Sequence, residues 1–378
     1  MTVPFLDLKI QYQSIKPEID AAIQHIIDNS AFILGKAVSD FEKGFAIAHS
    51  VKHCIGVSSG TDANHLALWS LGVGPGDEVI IPANTFIATA WGATLCGAKP
   101  VFVDCEPAGY TIDTTKVERA ITGKTKAIVP VHLYGQAADL DPLAEIAKKH
   151  RLFLVEDAAQ AHLAEYKGKR VGGLSEVASF SFYPGKNLGA FGEAGAVTMN
   201  NEQLAINIKM MREHGQSEKY HHEVLGHNYR MEGIQGAVLG VKLKYLNGWT
   251  EKRRAVAALY KKLLGDIEQI VLPKEMPYAK HVYHLFVIRV KKGGGRRETE
   301  NRRDALMKYL NENGVATGLH YPVPLHLQNC FKYLDYKKGD FPVSEELAET
   351  GLSLPMYPEM SDEQVEYVCG VDRGFLKK

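Results

Sequence analysis

The chain has 378 residues, of which 45% are hydrophobic and 23% are charged, as is usual for a globular protein of two domains or of one large domain with an appendage. Lysine plus arginine and aspartate plus glutamate number 44 each, and this balance argues against a nucleic acid or a membrane surface as the main partner. No apolar run approaches the ~20 residues of a membrane helix, and no signal peptide is evident. The five scattered cysteines form no C-x-x-C pair, so we expect free thiols and a cytoplasmic location, and no motif predicts a metal.

Apolar positions at helical spacing predict a first helix over Ile15–Ile27. Short, nearly all-apolar segments then alternate with helical stretches, which predicts an α/β fold with a large, mostly parallel seven-stranded sheet covered on both faces. The predicted strands are Cys54–Val57, Val79–Pro82, Pro100–Asp104, Ala127–Val131, Leu152–Glu156, Ser179–Phe182 and Ala196–Met199. The predicted helices between them are Asn64–Leu71, Ile87–Cys96 and Leu140–His150.

The pattern changes after about residue 245, which predicts two domains. Residues 1–245 would form an N-terminal segment and the large domain, and residues 246–378 a smaller α+β domain. The predicted elements of the smaller domain are a helix over Trp249–Leu264, a strand over Tyr283–Arg289, a helix over Arg303–Asn313, a strand-like run over Ala316–His320 and a helix over Asp362–Gly370.

Two segments carry groups with a chemical role. Lys186 lies in a glycine-flanked loop just after a predicted strand, and Asp157 follows the buried strand Leu152–Glu156. A lysine that can form a Schiff base and an acid that can hold a pyridinium proton are the groups that pyridoxal phosphate chemistry needs. Taken alone, such a lysine is more often an ordinary turn residue, and such an aspartate more often caps a helix. The two together, with the candidate phosphate site at Ser58–Thr61, favour binding of the cofactor.

Further candidates follow other strands, where the ligands of open α/β sheets lie. The small residues Ser58–Thr61 open a helix, and their free amides would form a phosphate cradle, although a plain N-cap has the same pattern. Phe86 can stack on a flat ring, although a core phenylalanine is the commoner reading. Alternation along a strand places Ser181 and Tyr183 on one face.

Over essentially its whole length the chain resembles the nucleotide-sugar aminotransferases of the DegT/DnrJ/EryC1/StrS family, which depend on pyridoxal phosphate and have the fold-type I, aspartate aminotransferase-like architecture. The matching segments are Ser59–Ala63, Gly76–Ile80, Glu156–His162 and Gly192–Val197.

The resemblance implies a role for each matching position. Lys186 would be the Schiff-base lysine and proton shuttle, and Asp157 the partner of the pyridine nitrogen. The other implied cofactor contacts are Gln160 to the ring hydroxyl, Phe86 to the ring face, and Gly60, Thr61 and Ser181 to the phosphate. Asn228 matches a residue that reaches the phosphate from the partner subunit, which implies a homodimer with shared active sites.

The resemblance also implies a reaction. The run Tyr183–Ala190 and the opening Val3–Tyr12 are similar to members that move an amino group from L-glutamate to C3 of a dTDP-3-keto-6-deoxyhexose, by a ping-pong mechanism, in deoxyamino-sugar biosynthesis. The residues expected to contact the substrate, with ordinary packing as an equal alternative, are Tyr183, Arg230, His320, Tyr321 and His326.

Other functions stay open at this point. A C4-aminating enzyme and one that uses a UDP-linked sugar are the nearest alternatives. A related sugar dehydratase would carry histidine in place of Lys186. A regulatory protein on the same fold would have no need of the intact site.

Overall fold

The computed structural model of the protein describes residues 1–291 and 302–376. Three helices precede the first strand: α1 (Leu8–Ser14), α2 (Lys16–Asp28) and α3 (Gly35–His49). The Asp7 carboxylate caps α1 by accepting hydrogen bonds from two backbone amides of its first turn, both at 3.0 Å. The predicted helix over Ile15–Ile27 therefore corresponds to α2.

A seven-stranded sheet forms the centre of the molecule. Its strands are β1 (His53–Val57), β2 (Glu78–Pro82), β3 (Lys99–Val103), β4 (Thr125–Ile128), β5 (Phe153–Asp157), β6 (Val177–Ser181) and β7 (Gly195–Met199). They lie in the order β1-β7-β6-β5-β4-β2-β3. Six strands run in the same direction, and β7 runs antiparallel to them. The predicted α/β class and the mostly parallel sheet are confirmed, and each of the seven strands predicted for this sheet overlaps an observed one.

Helices cover both faces of this sheet. They are α4 (Gly60–Ser70), α5 (Ile87–Leu95), α6 (Thr114–Val117), α7 (Leu140–His150), α8 (Glu202–Arg212) and α9 (Gly233–Leu243). Along β5, Leu154 lies in one buried hydrophobic cluster and Val155 in another, as the alternation of side chains across a strand requires. Two covered faces explain why the strands are apolar throughout.

The C-terminal part builds a second, three-stranded antiparallel sheet. Its elements are α10 (Leu246–Leu264), β8 (Ile270–Val271), β9 (Phe286–Val290), α11 (Arg302–Glu312), α12 (Pro342–Thr350), β10 (Gly351–Leu354) and α13 (Asp362–Leu376), with β9 in the middle of the sheet. Its buried cluster contains Val3 from the other end of the chain as well as Tyr260 and Phe286. The division of the chain at residue 245 stays a prediction.

The strand predicted over Ala316–His320 is wrong. The segment forms a single bridge, from Gly318 to Ser353, while the preceding Val315 pairs with Val3. Because these two partners belong to different segments, no continuous ladder of hydrogen bonds forms.

Shorter elements complete the description. The short strands are Glu165–Tyr166, Lys169–Arg170, Gln216–Glu218, His221–His222 and Ala279–Lys280, and the 3₁₀ turns are Glu118–Ala120, Leu133–Gly135, Leu325–Leu327 and Asn329–Leu334. Within the described ranges, no helix has both the length and the apolar character needed to cross a bilayer.

Candidate active site

A cavity of about 600 Å³ lies at the carboxyl ends of β1, β2, β5 and β6. This is the edge of a parallel sheet at which ligands bind. Ten of the residues proposed from the sequence line it: Gly60, Thr61, Phe86, Asp157, Gln160, Ser181, Tyr183, Lys186, His320 and Tyr321.

Lys186 lies in the wall of the cavity, in a turn closed by a hydrogen bond from its own amide to the Tyr183 carbonyl at 2.8 Å. Burial lowers the pKa of Lys186 to about 8, although the charge of Asp157 opposes the shift. In the described part of the chain, its Nζ has no hydrogen-bond or ion-pair partner within reach. Roughly a tenth of this lysine is therefore neutral at pH 7, far more than for an ordinary lysine, and the neutral amine is the form that nucleophilic attack and proton transfer require.

Asp157 ends β5 and is only 3% exposed. Its Oδ2 accepts hydrogen bonds from Thr89 Oγ1 at 2.7 Å and from Asn64 Nδ2 at 3.2 Å, and its Oδ1 accepts one from the Ala159 amide at 3.1 Å. Three donors stabilise a buried carboxylate anion. Sequence reasoning missed Thr89 and Asn64, although Thr89 is a polar residue in the otherwise apolar start of α5.

The start of α4 forms a cradle for an anion. Ser59 caps the helix, with its Oγ accepting a hydrogen bond from the Asp62 amide at 3.1 Å. No acceptor among the described residues takes a hydrogen bond from the amides of Gly60 and Thr61. A Cβ at position 60 would lie 2.5 Å from the Ser181 Cβ, so glycine is needed for the close approach of this hydroxyl. Free amides at a helix N-terminus beside a hydroxyl fit a phosphate group.

Gln160 and Phe86 also line the cavity. The Gln160 Oε1 accepts a hydrogen bond from the Tyr134 amide at 2.7 Å, and its Nε2 donates one to the Tyr321 hydroxyl at 2.9 Å. The Phe86 ring is 51% exposed, and its centroid is 5.5 Å from that of Tyr321. The exposed ring face is open to a flat cofactor, and Gln160 keeps one N–H for a further acceptor.

A further part of the cavity wall is formed by aromatic and histidine side chains. Phe5 stacks on His320, with centroids 5.7 Å apart and planes inclined by 16°. Burial lowers the pKa of His320 to about 4, so the ring is neutral, and its Nδ1 lies 2.8 Å from Ser353 Oγ. Besides Asn64 and Thr89, sequence reasoning did not propose Phe5, Leu6, Glu193, His284 and Met356, which also line the cavity. Phe5 and Leu6 lie in the opening segment that resembles the family, and Glu193 lies in the matching segment Gly192–Val197, whereas His284 and Met356 carried no comparable signal.

Three proposed residues lie outside this cavity. The expectation that His326 lines it is not met, because the buried ring bonds Glu345 Oε1 at 2.9 Å and packs on Phe341. Arg230 is half-buried, and its backbone bridges to β1. Asn228 is exposed, so its contact with a second subunit stays a prediction.

Comparison with known proteins shows the family to which the chain belongs. The model of the DegT/DnrJ/EryC1/StrS aminotransferase family matches residues 13–371. The chain is 48% identical to the "pleiotropic regulatory protein" of Geobacillus stearothermophilus over 97% of both chains. It is 44% identical to the dTDP-3-amino-3,4,6-trideoxy-α-D-glucose transaminase of Streptomyces venezuelae, over 100% of this chain and 97% of the relative.

A solved structure is also similar. The crystal structure of S. venezuelae DesV in complex with a ketimine intermediate superposes with a TM-score of 0.95 at 43% identity, covering 100% of this chain and 99% of the other. A sheet with a lysine, a buried aspartate and an anion cradle at its carboxyl edge defines a fold-type I aminotransferase. The chain belongs to the DegT/DnrJ/EryC1/StrS aminotransferase family.

Proposed function

We propose that this protein uses pyridoxal phosphate to move an amino group from L-glutamate to C3 of a dTDP-linked 3-keto-6-deoxyhexose, by a ping-pong mechanism. The observation that carries the proposal is the presence of Lys186, Asp157 and the anion cradle in the wall of one cavity. The relative named as a dTDP-3-amino-sugar transaminase supports the choice of sugar. A cytoplasmic location and a place in deoxyamino-sugar biosynthesis are part of the proposal.

When bound, pyridoxal phosphate supplies an electron-accepting ring that stabilises the negative charge formed beside the transferred amine. The amides of Gly60 and Thr61 and the hydroxyl of Ser181 would hold the phosphate. Asp157 would hold the proton on the ring nitrogen, because its carboxylate is fixed by three donors and shielded from water.

Lys186 moves the protons of the reaction. Its neutral Nζ would accept the proton released from the α-carbon of the amino donor, and the resulting ammonium group would deliver a proton to the carbon on the other side of the transferred nitrogen. A pKa of about 8 suits both directions near neutral pH. The same site serves the donor and the acceptor in turn, as ping-pong kinetics requires.

The sugar would lie against His320 and Tyr183, which both line the cavity. Tyr183 is 54% exposed, so its hydroxyl is available to a bound sugar. Asn228 would contact the phosphate held by a second subunit, which makes the homodimer the active form, and Arg230 stays a candidate for the diphosphate.

The test is an assay of dTDP-3-keto- and dTDP-4-keto-6-deoxyglucose side by side, each with L-glutamate, and the UDP-linked 3-keto sugar as a third substrate. NMR locates the new amine in each product. We expect turnover of the dTDP-3-keto sugar with nitrogen on C3. Nitrogen on C4, or turnover of the UDP-linked sugar alone, would overturn the choice of substrate.

A regulatory role is the second candidate, because the relative at 48% identity carries the name of a regulatory protein. The two functions differ in the first half-reaction. An aminotransferase converts L-glutamate to 2-oxoglutarate in a single burst equal to its cofactor content when no sugar is present. A purely regulatory protein gives no burst.

A further inference from the structure

Helix α9 carries a second buried lysine, Lys242, which the mechanism above does not use. Its side chain is 2% exposed, and Nζ donates a hydrogen bond to the Gly189 carbonyl at 2.7 Å. The ammonium group also lies 5.0 Å from the centre of the Phe191 ring. Within the described residues, no carboxylate lies within ion-pair distance of it. Lysines are rarely buried without such a partner, because the desolvation of an ammonium group costs free energy.

The accepting carbonyl lies in the loop that carries Lys186. This loop closes on itself, because the Ala190 amide bonds the Phe182 carbonyl at 2.7 Å. At the closure, a Cβ on Gly189 would lie 2.2 Å from the Pro184 carbonyl oxygen, so Gly189 packs directly on the start of the loop. A shift at Gly189 would therefore move the backbone on either side of Lys186.

A second side chain of α9 holds the next part of the loop. Gln235 is 5% exposed, and its Oε1 accepts a hydrogen bond from the Phe191 amide at 2.9 Å. Gln235 and Lys242 are seven residues apart, which is about two helical turns, so both side chains project from one face of α9. The helix is itself fixed, because Val238 and Leu239 are buried in hydrophobic clusters.

We propose that Lys242 is a positioning residue for Lys186: together with Gln235 it clamps the closure of the lysine loop to α9 and so sets where the Lys186 amine lies in the cavity. This inference rests on the proposed role of Lys186. Methionine would fill the same space in the core without the hydrogen bond, so packing alone does not account for an amine at this position.

The test compares Lys242→Met with the matched control Lys244→Met, a surface lysine whose side chain is 63% exposed and pairs with Glu18. Each apoenzyme is mixed with pyridoxal phosphate, the adduct is trapped with borohydride, and the modified Lys186 peptide is counted by mass spectrometry over time. Turnover and thermal unfolding are measured on the same samples.

We expect Lys242→Met to slow attachment at Lys186 and to lower kcat by about 10- to 100-fold, because small displacements of a reacting group cost this much. KM should change much less than kcat, and Lys244→Met should match the wild type. If Lys242→Met lowers only the unfolding temperature, with attachment and kcat unchanged, the residue is structural and the inference is wrong. Where Lys242→Met does not fold, Gln235→Met is read in its place by the same criteria.

The wild-type sample distinguishes a failure of the proposed function from a failure of the positioning role. Absence of any adduct on wild-type Lys186 would contradict the proposed function. A normal wild-type adduct with equally fast attachment in Lys242→Met would contradict the positioning role alone.

Discussion

The residues proposed to hold the cofactor (the cofactor end of the cavity) and those proposed to contact the sugar (the acceptor end) come from different parts of the chain. At the cofactor end, Thr61 and Lys186 each follow a strand of the central sheet by five residues or fewer, and Asp157 is the last residue of β5. At the acceptor end, Phe5 and His320 come from segments more than 300 residues apart. The first end is thus positioned by local connections to one sheet, and the second by packing between remote segments.

We expect the cofactor end to determine the rate of the reaction and the acceptor end to determine which sugar binds. The N-terminal segment is held at the acceptor end by backbone bonds, among them the Val3 amide to the Gly314 carbonyl at 2.9 Å. Changes at the cofactor end should lower turnover with any substrate, whereas changes at the acceptor end should alter the KM of the sugar. The predictions below test this division, beginning with the largest effect.

Replacing Lys186 with alanine should lower turnover by at least about 10³-fold, because both the covalent group and the proton carrier are lost. The fold should survive, since the residue lies in a loop. Lys167→Ala, at an exposed lysine paired with Asp141, is the control. Turnover of Lys186→Ala within about tenfold of the wild type would contradict the role of this residue.

Asp157→Ala should lower turnover by about 10²-fold and weaken retention of the cofactor, because the ring nitrogen loses its counter-ion in a buried site. Steady-state kinetics and dialysis against buffer measure the two effects. Asp141→Ala removes an exposed carboxylate and should change neither. Full activity and retention in Asp157→Ala would mean that another acid holds the ring.

The pH dependence of cofactor attachment tests the environment of Lys186. Its pKa is lowered by burial to about 8, so protonation blocks the amine below that pH. The rate of attachment to the apoenzyme should rise about tenfold per pH unit up to pH 8 and level off above it. If the lysine were unperturbed, with a pKa near 10.4, the rate of attachment would continue to rise beyond pH 9.

Phe5→Ala should raise the KM of the keto sugar by about 2- to 10-fold, since a stacked ring pair contributes about 0.5–1.5 kcal/mol. The burst of 2-oxoglutarate from L-glutamate should be unchanged. Phe32→Ala, at an exposed phenylalanine, is the control. An equal loss in the burst would show that the two ends are not separable.

His326→Ala should have the smallest effect on activity, within about twofold, because the ring lies outside the cavity. Its removal takes a hydrogen-bond partner from Glu345, so the free energy of unfolding should fall by about 1–3 kcal/mol. Denaturant unfolding measures the change in stability, and steady-state kinetics measures the change in activity. A large rise in the KM of the sugar would show that His326 does contact the substrate.

The same division explains what could be predicted from the sequence. The sheet and the cofactor end were accessible, because an apolar strand followed by Asp157 or by the Lys186 loop is a local pattern. His284 and Met356 were not, since neither residue type nor spacing marks a side chain that long-range packing brings to the cavity. His326 illustrates the opposite error, because it was expected to contact the substrate. Its ring is instead hydrogen-bonded to the buried Glu345.

Covalent mapping tests the central claim most directly. The enzyme is loaded with pyridoxal phosphate, reduced with borohydride and digested, and the modified peptides are identified by mass spectrometry. The account predicts one adduct per chain, on Lys186, which is released when L-glutamate is added before reduction. An adduct on a different lysine, or one that L-glutamate leaves unchanged, would contradict it.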